Sequence, residues 1–316
     1  MKVLTTMAIK EIYLDRLEDM YPGVHWRVCR STGEALEYLP RADVLVTYGD
    51  GLTSQWLRRA EKLRWIHSMS AGLENIPFET LKEREITLTN VRGIHRIQVA
   101  EHTLGVMLAF VRQLPFFVRM QEQSRWEYHV RFNELYEQTV TIVGLGALGQ
   151  EIAAKANAFG MRVTGVNTDG RDVEGVHKVY PADQLRRALS EADFVVVTVP
   201  LVEKTEKLIG AAELDVMKKS AIVINVARGK VIDQKALVES LQEGRIAGAA
   251  LDVFEKEPLS PNNPLWKMNN VMITPHVAGR SPRYMERALE VFETNLKAFM
   301  EDKPLPLNVI DLEKGY

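Results

Sequence analysis

Three apolar, strand-like runs in the later part of the sequence lead into side chains that can do chemistry, Arg228, Glu257 and His276. A guanidinium is a permanently charged planar fork that pairs with carboxylates and polarises carbonyl oxygens. An imidazole titrates near neutrality, so it can give a proton to a reacting oxygen and take it back. Because ligands of open α/β sheets bind beyond the carboxyl ends of the strands, we expect these three side chains to share one crevice.

A second candidate site is the glycine-rich loop that follows the run Thr139–Val143 and precedes a helix-like stretch. In the pattern Gly-x-Gly-x-x-Gly, the missing Cβ lets Gly144 turn tightly, lets Gly146 approach a pyrophosphate and lets Gly149 pack the helix on the strand. The helix amino terminus adds amide donors and the positive end of a dipole. This context favours dinucleotide binding over a plain strand–turn–helix corner. The expected contacts are Gly144, Gly146, Ala147, Leu148 and Gly149.

The elements that position these groups follow from the apolar periodicity. Up to about residue 90, short apolar runs alternate with amphipathic stretches, which is typical of βα units around a parallel sheet. The stretch Ile97–Leu114 predicts a long apolar helix leading to a second α/β domain, with a boundary near residue 95. A last amphipathic helix is predicted at Pro282–Met300, and Asp233 is a predicted helix N-cap. The other strands expected in the second domain are Phe194–Val199, Ala221–Asn225 and Val271–Thr274, and its helices 147–159, 181–189 and 233–243.

Composition excludes several classes of protein. The chain has 316 residues, 46% of them hydrophobic, which suits two compact domains rather than a disordered or fibrous protein. Its 40 basic and 42 acidic side chains give a net charge of -2 with no long run of one sign, so no nucleic acid partner is expected. A lone cysteine, Cys29, and the absence of a signal-like or membrane-spanning apolar stretch predict a soluble cytoplasmic protein without a membrane partner. His95, Glu101 and His102 lack the spacing of a zinc-binding helix, so no metal is expected.

Several short motifs follow one another in a characteristic order along most of the chain. They are Val99–Thr103, the glycine loop, Thr198–Leu201 with Thr205, Asn225–Gly229, Ala250–Phe254, Glu257–Leu259 and Thr274–His276 with Gly279. In these motifs the sequence resembles the D-isomer-specific 2-hydroxyacid dehydrogenases, a family that includes glyoxylate and hydroxypyruvate reductases and phosphoglycerate dehydrogenases. Several independent motifs in the right order make this resemblance highly specific.

The resemblance implies an α/β fold of two domains. Residues 1–94 plus 282–316 should form a flavodoxin-like substrate domain, and residues 95–281 an inserted Rossmann-type domain that binds the dinucleotide. The crevice between the domains would hold the substrate. The implied activity is the transfer of a hydride between NAD(P)H and a small 2-keto acid, which interconverts the keto acid and its D-2-hydroxy acid.

The resemblance also assigns roles to individual residues. Arg228 would bind the substrate carboxylate or polarise the keto oxygen, and His276 would be the proton donor. Glu257 would hydrogen-bond the imidazole and stabilise its protonated form. The substrate carboxylate would be received by the backbone amides of a loop after the first domain's Arg64–Ile66 strand, formed by Ser70, Ala71 and Gly72.

Further cofactor contacts are carried over from the same motifs. Asp252 matches the position that contacts the nicotinamide carboxamide, and Pro200 and Thr205 match positions along the adenosine half of the site. Packing or capping is an alternative role for each of these three residues. Val226 and Gly279 complete the expected contacts.

The loop after the second strand of the cofactor domain bears on the choice of cofactor. Asn167 stands roughly where an NAD-binding fold has a carboxylate for the ribose hydroxyls. Its neutral amide would not repel a 2′-phosphate, Thr168 adds a hydroxyl, and Arg171 is close enough in the loop to pair with that phosphate. Against this stands Asp169, which would repel the phosphate, and Arg171 could instead pair with Asp169 or Asp172. We predict that NADPH is used at least as well as NADH.

Two alternative functions and an oligomeric state also follow from the sequence. A short phosphoglycerate dehydrogenase is the alternative enzyme, and a nicotinamide-sensing interaction protein of the same fold is the alternative from another class. Turnover of a 2-keto acid distinguishes the enzyme from the sensor. We also expect a homodimer built largely on the Ile97–Leu114 helix and its neighbours, because so apolar a stretch should not remain exposed and the family commonly pairs through its cofactor domains.

Overall fold

The computed structural model describes residues 1–73 and 76–313 and divides into two compact units. The first unit contains Met1–Ile94 together with the stretch that begins at Pro282. The second unit is the continuous segment His95–Ser281. The roles of the two units as substrate domain and cofactor domain stay predictions.

The first unit contains a five-stranded parallel sheet with the strand order β2-β1-β3-β4-β5. This is the flavodoxin-like order 2-1-3-4-5. Its strands are β1 (Lys2–Thr5), β2 (His25–Val28), β3 (Val44–Thr47), β4 (Trp65–Ser68) and β5 (Thr87–Asn90). The helices between them are α1 (Glu11–Met20), α2 (Thr32–Ala35), α3 (Ser54–Arg58) and α4 (Phe78–Glu83).

The second unit contains a seven-stranded parallel sheet. Its strands are β6 (Thr139–Val143), β7 (Arg162–Asn167), β8 (Lys178–Pro181), β9 (Phe194–Val197), β10 (Ile222–Asn225), β11 (Gly248–Leu251) and β12 (Val271–Ile273). Its helices are α5 (Arg96–Val111), α6 (Leu114–Glu122), α7 (Ala147–Ala158), α8 (Leu185–Ser190), α9 (Ala211–Asp215) and α10 (Gln234–Gln242). The order β12-β11-β10-β9-β6-β7-β8 is the dinucleotide-binding order with one strand added at the edge. The α/β fold class predicted from the sequence is confirmed in both units.

A final helix, α11 (Tyr284–Met300), belongs to the first unit and covers one face of β4. The ring of Trp65 on β4 stacks on Phe292 with centroids 5.2 Å apart. The Trp65 indole N–H donates to the hydroxyl of Thr89, and that hydroxyl also bonds Nδ1 of His67, both at 2.8 Å. His67 is fully buried, and this burial lowers its pKa to about 3. The strand β4 is therefore fixed by an aromatic and polar core.

The structure differs from the sequence prediction in the bounds of some helices. The long apolar helix ends at Val111, before Leu114, and Gln113 has a left-handed backbone with φ 56°. A new helix begins at Leu114 because Pro115 lacks an amide hydrogen and is tolerated only in a first turn. The helix expected at 181–189 begins with a 3-10 turn at Ala182–Gln184. The predicted N-cap is confirmed, since the Asp233 carboxylate accepts from two amides of the first turn of α10.

Among residues 1–73 and 76–313, no single helix has both the length and the apolar character of a membrane span. In the same two ranges, one bent pair of helices, α5 and α6, meets those two criteria when taken together across a 68° break.

Candidate active site

The centre of the site is a hydrogen-bonded pair formed by Glu257 and His276. Nδ1 of His276 lies 2.8 Å from Oε2 of Glu257, and Oε1 of Glu257 accepts from the amide of Phe254 at 3.0 Å. The His276 side chain is 51% exposed and the Glu257 side chain 37%, so the imidazole remains accessible to a reactant. When Nδ1 carries its hydrogen toward the carboxylate, Nε2 is the nitrogen left for proton exchange.

The turn that carries His276 is held by the carboxyl group of Asp252. His276 has a left-handed backbone with φ 54°, and its amide donates to the Asp252 carbonyl at 2.8 Å. The buried Asp252 carboxylate accepts from the Thr274 hydroxyl at 2.6 Å and from the amides of Val277 and Ala278 at 2.9 Å each. Three donors to one carboxylate fix the path of this turn and thus the direction of the imidazole. Thr274 is visible in the sequence as a motif residue, but its hydrogen bond to Asp252 is not.

Arg228 lies just beyond β10, at the carboxyl edge where β11 and β12 also end. The side-chain amide of Asn225 donates to the Arg228 carbonyl at 3.0 Å, and Nη1 of Arg228 donates to the Ala227 carbonyl at 2.9 Å. The next residue, Gly229, packs backbone against backbone, since a Cβ on it would lie 1.8 Å from the carbonyl carbon of Phe254. The structure therefore brings Arg228, Glu257 and His276 to the ends of three neighbouring strands.

The glycine loop has the geometry of a dinucleotide cradle. Gly144 has φ 105°, which an L side chain rarely adopts, and a Cβ on Gly149 would lie 2.1 Å from the carbonyl oxygen of Gly144. A Cβ on Gly146 would enter open space, and no side chain caps the α7 amino terminus that Gly146 begins. Open space against free helix amides fits a pyrophosphate. Ala147 and Leu148 form the first turn of α7 in the same place.

The loop after β7 is braced by Asn167. Its Oδ1 accepts from the amide of Gly170 at 2.6 Å, and its Nδ2 donates to the carbonyl of Arg171 at 2.8 Å. The Arg171 side chain is 79% exposed, with Nε 3.9 Å from Oδ1 of Asp169. Thr168 is exposed beside it. Both polar ends of the Asn167 side chain are thus engaged in the turn, which the sequence pattern did not indicate.

The other predicted cofactor residues have local structural partners. The Thr205 hydroxyl donates to the Pro200 carbonyl at 2.6 Å and accepts from the Val202 amide at 2.8 Å, so it caps its own turn. Val226 is buried directly after β10. These contacts leave their predicted roles toward the dinucleotide untested.

The carbonyl of Gly279 receives two side chains from the beginning of the second unit. Nδ1 of His95 lies 3.1 Å from this carbonyl, and the Gln98 amide donates to it at 3.0 Å. The amino-terminal and carboxy-terminal ends of this unit are therefore joined by direct contacts.

The candidate carboxylate loop, Ser70–Gly72, belongs to the first unit and directly follows β4 and Met69. The side chain of Asn90 donates to the Ala71 carbonyl at 3.0 Å. Within the described part of the chain, the amides of Ala71 and Gly72 have no hydrogen-bond partner. Two unpaired neighbouring amides are suited to an anionic ligand.

Residues 1–73 and 76–313 contain no group of three or more His, Cys, Asp or Glu side chains that could hold a metal ion.

Comparison with known proteins gives concordant matches. The family described as "D-isomer specific 2-hydroxyacid dehydrogenase, NAD binding domain" matches residues 104–278. A D-3-phosphoglycerate dehydrogenase of Methanocaldococcus jannaschii is 36% identical over 98% of this chain, which spans 59% of that relative's length. A glyoxylate reductase of Korarchaeum cryptofilum is 34% identical over 99% of this chain and 96% of its own length.

The chain is also similar in fold to solved structures. One is an NADPH-dependent glyoxylate/hydroxypyruvate reductase from Sinorhizobium meliloti, in complex with NADP and sulfate. Its TM-score with this chain is 0.84 at 27% identity, and the match covers 100% of this chain and 99% of that one.

Proposed function

Because the chain belongs to the D-isomer specific 2-hydroxyacid dehydrogenase family, we propose that it interconverts a small 2-keto acid and its D-2-hydroxy acid with a nicotinamide dinucleotide. The observation that carries this proposal is the 2.8 Å pair between His276 and Glu257, at the sheet edge where Arg228 also lies. A proton donor and a fixed guanidinium are the groups that reduction of a keto acid needs.

The side chains divide the chemistry between them. A reduced dinucleotide held with its pyrophosphate against the glycine loop would supply the hydride to the keto carbon. Arg228 pairs with the substrate carboxylate or with the keto oxygen and stabilises the negative charge that develops on that oxygen. His276 gives the proton on Nε2 to the oxygen, and in the reverse direction it takes the proton back. Glu257 stabilises the imidazolium and keeps Nδ1 directed toward itself.

The substrate class we propose is 2-keto acids of the size of glyoxylate and hydroxypyruvate. Support comes from the glyoxylate reductase that the chain matches over nearly its full length and from the glyoxylate/hydroxypyruvate reductase structure. Oxidation of D-3-phosphoglycerate is a second candidate, favoured by the 36% identity to a phosphoglycerate dehydrogenase. A nicotinamide-sensing protein without turnover is the third possibility.

One experiment separates these candidates. Initial rates are measured for glyoxylate, hydroxypyruvate, pyruvate and 3-phosphohydroxypyruvate with NADPH and with NADH, in wild type and in His276→Ala. We expect reduction of the first two, and a fall in kcat of about a hundred- to ten-thousand-fold in His276→Ala with unchanged cofactor affinity. A preference for 3-phosphohydroxypyruvate supports a phosphoglycerate dehydrogenase. If none of the four acids is turned over, the result contradicts the proposal that the protein is an enzyme. Wild-type kcat in His276→Ala contradicts its role as the proton donor.

For the cofactor we propose that NADPH is used at least as well as NADH. The last residue of β7 is Asn167 and not a carboxylate, and the exposed Arg171 is only loosely paired with Asp169. Such a guanidinium can turn toward a 2′-phosphate at little cost. The glyoxylate/hydroxypyruvate reductase that the structure resembles is NADPH-dependent.

We also infer a homodimer. Most of the apolar side chains of α5 are buried within their own unit, so the exposed apolar surface lies instead on α6 and the segment after it. There Leu114 and Val118 are exposed, and the Trp126 side chain is 96% exposed. Clustered apolar side chains of this size are typical of a protein interface. A monomer in sedimentation at micromolar concentration contradicts this inference.

A further inference from the structure

The loop that follows β4 is held by side chains from three different elements of the first unit. The hydroxyl of Tyr284, the first residue of α11, donates to the carbonyl of Met69. The hydroxyl of Ser68 donates to the carbonyl of Ser70 at 3.2 Å. The side-chain amide of Asn90, the last residue of β5, donates to the carbonyl of Ala71 at 3.0 Å. Three consecutive peptide carbonyls therefore each receive a side-chain donor.

These three hydrogen bonds also determine where the loop's amides point. In a trans peptide the N–H group is directed opposite to the C=O group of the same rigid plane. The carbonyl of Met69, held by Tyr284, thus orients the amide of Ser70, which donates to the Ser68 hydroxyl at 3.2 Å and so connects this plane to the next one. The carbonyl of Ser70 orients the amide of Ala71, and the carbonyl of Ala71 orients the amide of Gly72. In the described part of the chain these two amides have no hydrogen-bond partner. The side chains hold one edge of the loop, and the other edge keeps two donors for a ligand.

Tyr284 begins this series and is well suited to act as a donor. Burial raises its pKa above the ordinary value for tyrosine, so the hydroxyl keeps its hydrogen throughout the neutral range. The hydroxyl of Tyr48, which follows β3, interacts with that of Tyr284 at the same sheet edge. Because β3 and β4 are paired neighbours, Tyr48 and Met69 occupy equivalent positions beyond the ends of the two strands.

We propose that Tyr284 is a positioning residue for substrate binding, which together with Ser68 and Asn90 sets the peptide planes of Met69–Gly72 so that the Ala71 and Gly72 amides bind the carboxylate of the 2-keto acid. This inference rests on the proposed function and identifies the side chains that shape its carboxylate site. Tyr284 does not touch the reacting atoms. Its loss therefore raises KM for the keto acid more than it lowers kcat.

The test compares Tyr284→Phe and Ser68→Ala with a matched control, Tyr21→Phe. Tyr21 is a buried tyrosine of the same unit whose hydroxyl has no partner among residues 1–73 and 76–313. Loss of one loop hydrogen bond should raise KM for the keto acid roughly three- to tenfold in each loop variant. We expect kcat within about twofold of wild type and an unchanged Kd for NADPH in the same proteins. The control should leave all three quantities unchanged.

A second readout does not depend on catalysis. Amide hydrogen exchange of a peptide covering Met69–Leu73 should be faster in Tyr284→Phe and Ser68→Ala than in wild type and in Tyr21→Phe. If both loop variants keep the wild-type KM while the wild-type enzyme is active, the inference about Tyr284 is wrong and the proposed function still stands. An equal rise in KM and in the Kd for NADPH also overturns it, because it shows a general loss of structure.

If the wild-type protein turns over no keto acid, the proposed function fails while hydrogen exchange still decides whether Tyr284 holds the loop. Unchanged exchange in both loop variants overturns the inference in that case. Should Tyr284→Phe fail to fold, Ser68→Ala tests the adjacent peptide plane by the same two measurements.

Discussion

Gly229→Ala should damage catalysis although the added methyl group touches neither substrate nor cofactor. The new Cβ would lie 1.8 Å from the carbonyl carbon and 2.0 Å from the carbonyl oxygen of Phe254, whereas ordinary contacts begin at 3.4 Å. The neighbours are backbone atoms that cannot rotate aside, so the two segments must separate by about 1.5 Å. One segment carries Arg228 and the other carries Glu257. A misplacement of about 1 Å in a catalytic group costs roughly a hundredfold in rate, so kcat/KM should fall at least that far.

The assay is steady-state reduction of the best keto acid, with cofactor affinity measured on the same protein by fluorescence. The matched control is Gly105→Ala in α5, where a Cβ meets nothing within 4 Å and the backbone is helical. That change should leave kcat/KM unchanged and stabilise the helix by about 0.5–1 kcal/mol. A folded Gly229→Ala protein with kcat/KM within about threefold of wild type would refute the reasoning, because it would show that the spacing of the two segments does not matter.

Further predictions concern the guanidinium, the cofactor loop and a buried histidine. Arg228→Lys should raise KM and lower kcat together, since an ammonium cannot form the planar fork, and unchanged kinetics place Arg228 outside the site. Asn167→Asp and Arg171→Ala should each lower the ratio of kcat/KM for NADPH to kcat/KM for NADH. If the wild type strongly prefers NADH and Arg171→Ala leaves this ratio unchanged, the interpretation of the loop is wrong. His67 is neutral in the fold at neutral pH, because its pKa there is about 3, but it binds a proton in the unfolded chain below about pH 6.5. Its contribution to stability is therefore complete above that pH and is lost as the pH falls toward 3. Denaturant titrations between pH 7 and pH 4 give the free energy of unfolding as a function of pH. The slope of this free energy against pH should be smaller in His67→Gln than in wild type by about 1.4 kcal/mol per pH unit. Equal slopes in the two proteins reject the assignment.

Local patterns in the sequence predicted the strands and most of the helices well. The apolar periodicity and the glycine spacing predict the α/β class, because strands, helices and a tight phosphate-binding turn each have short-range signatures. Contacts between distant segments have no such signature. The carboxylate of Asp252 binds the turn around His276, and a tyrosine at position 284 reaches the carbonyl of Met69, 215 residues away in the chain. Composition and motif spacing do not encode these pairs, so only the folded structure shows them.

The contacts of His95 and Gln98 with the carbonyl of Gly279 have a consequence for the order of folding. The first unit is assembled from two stretches separated by roughly 190 residues, and closing a flexible loop of that length costs about 4–5 kcal/mol of chain entropy. Once the second unit has folded and its two ends are joined at Gly279, the loop that remains to be closed is only a few residues long. The same closure then costs about 1–2 kcal/mol. The second unit should therefore fold first, and its folding brings α11 within reach of the strand that it covers.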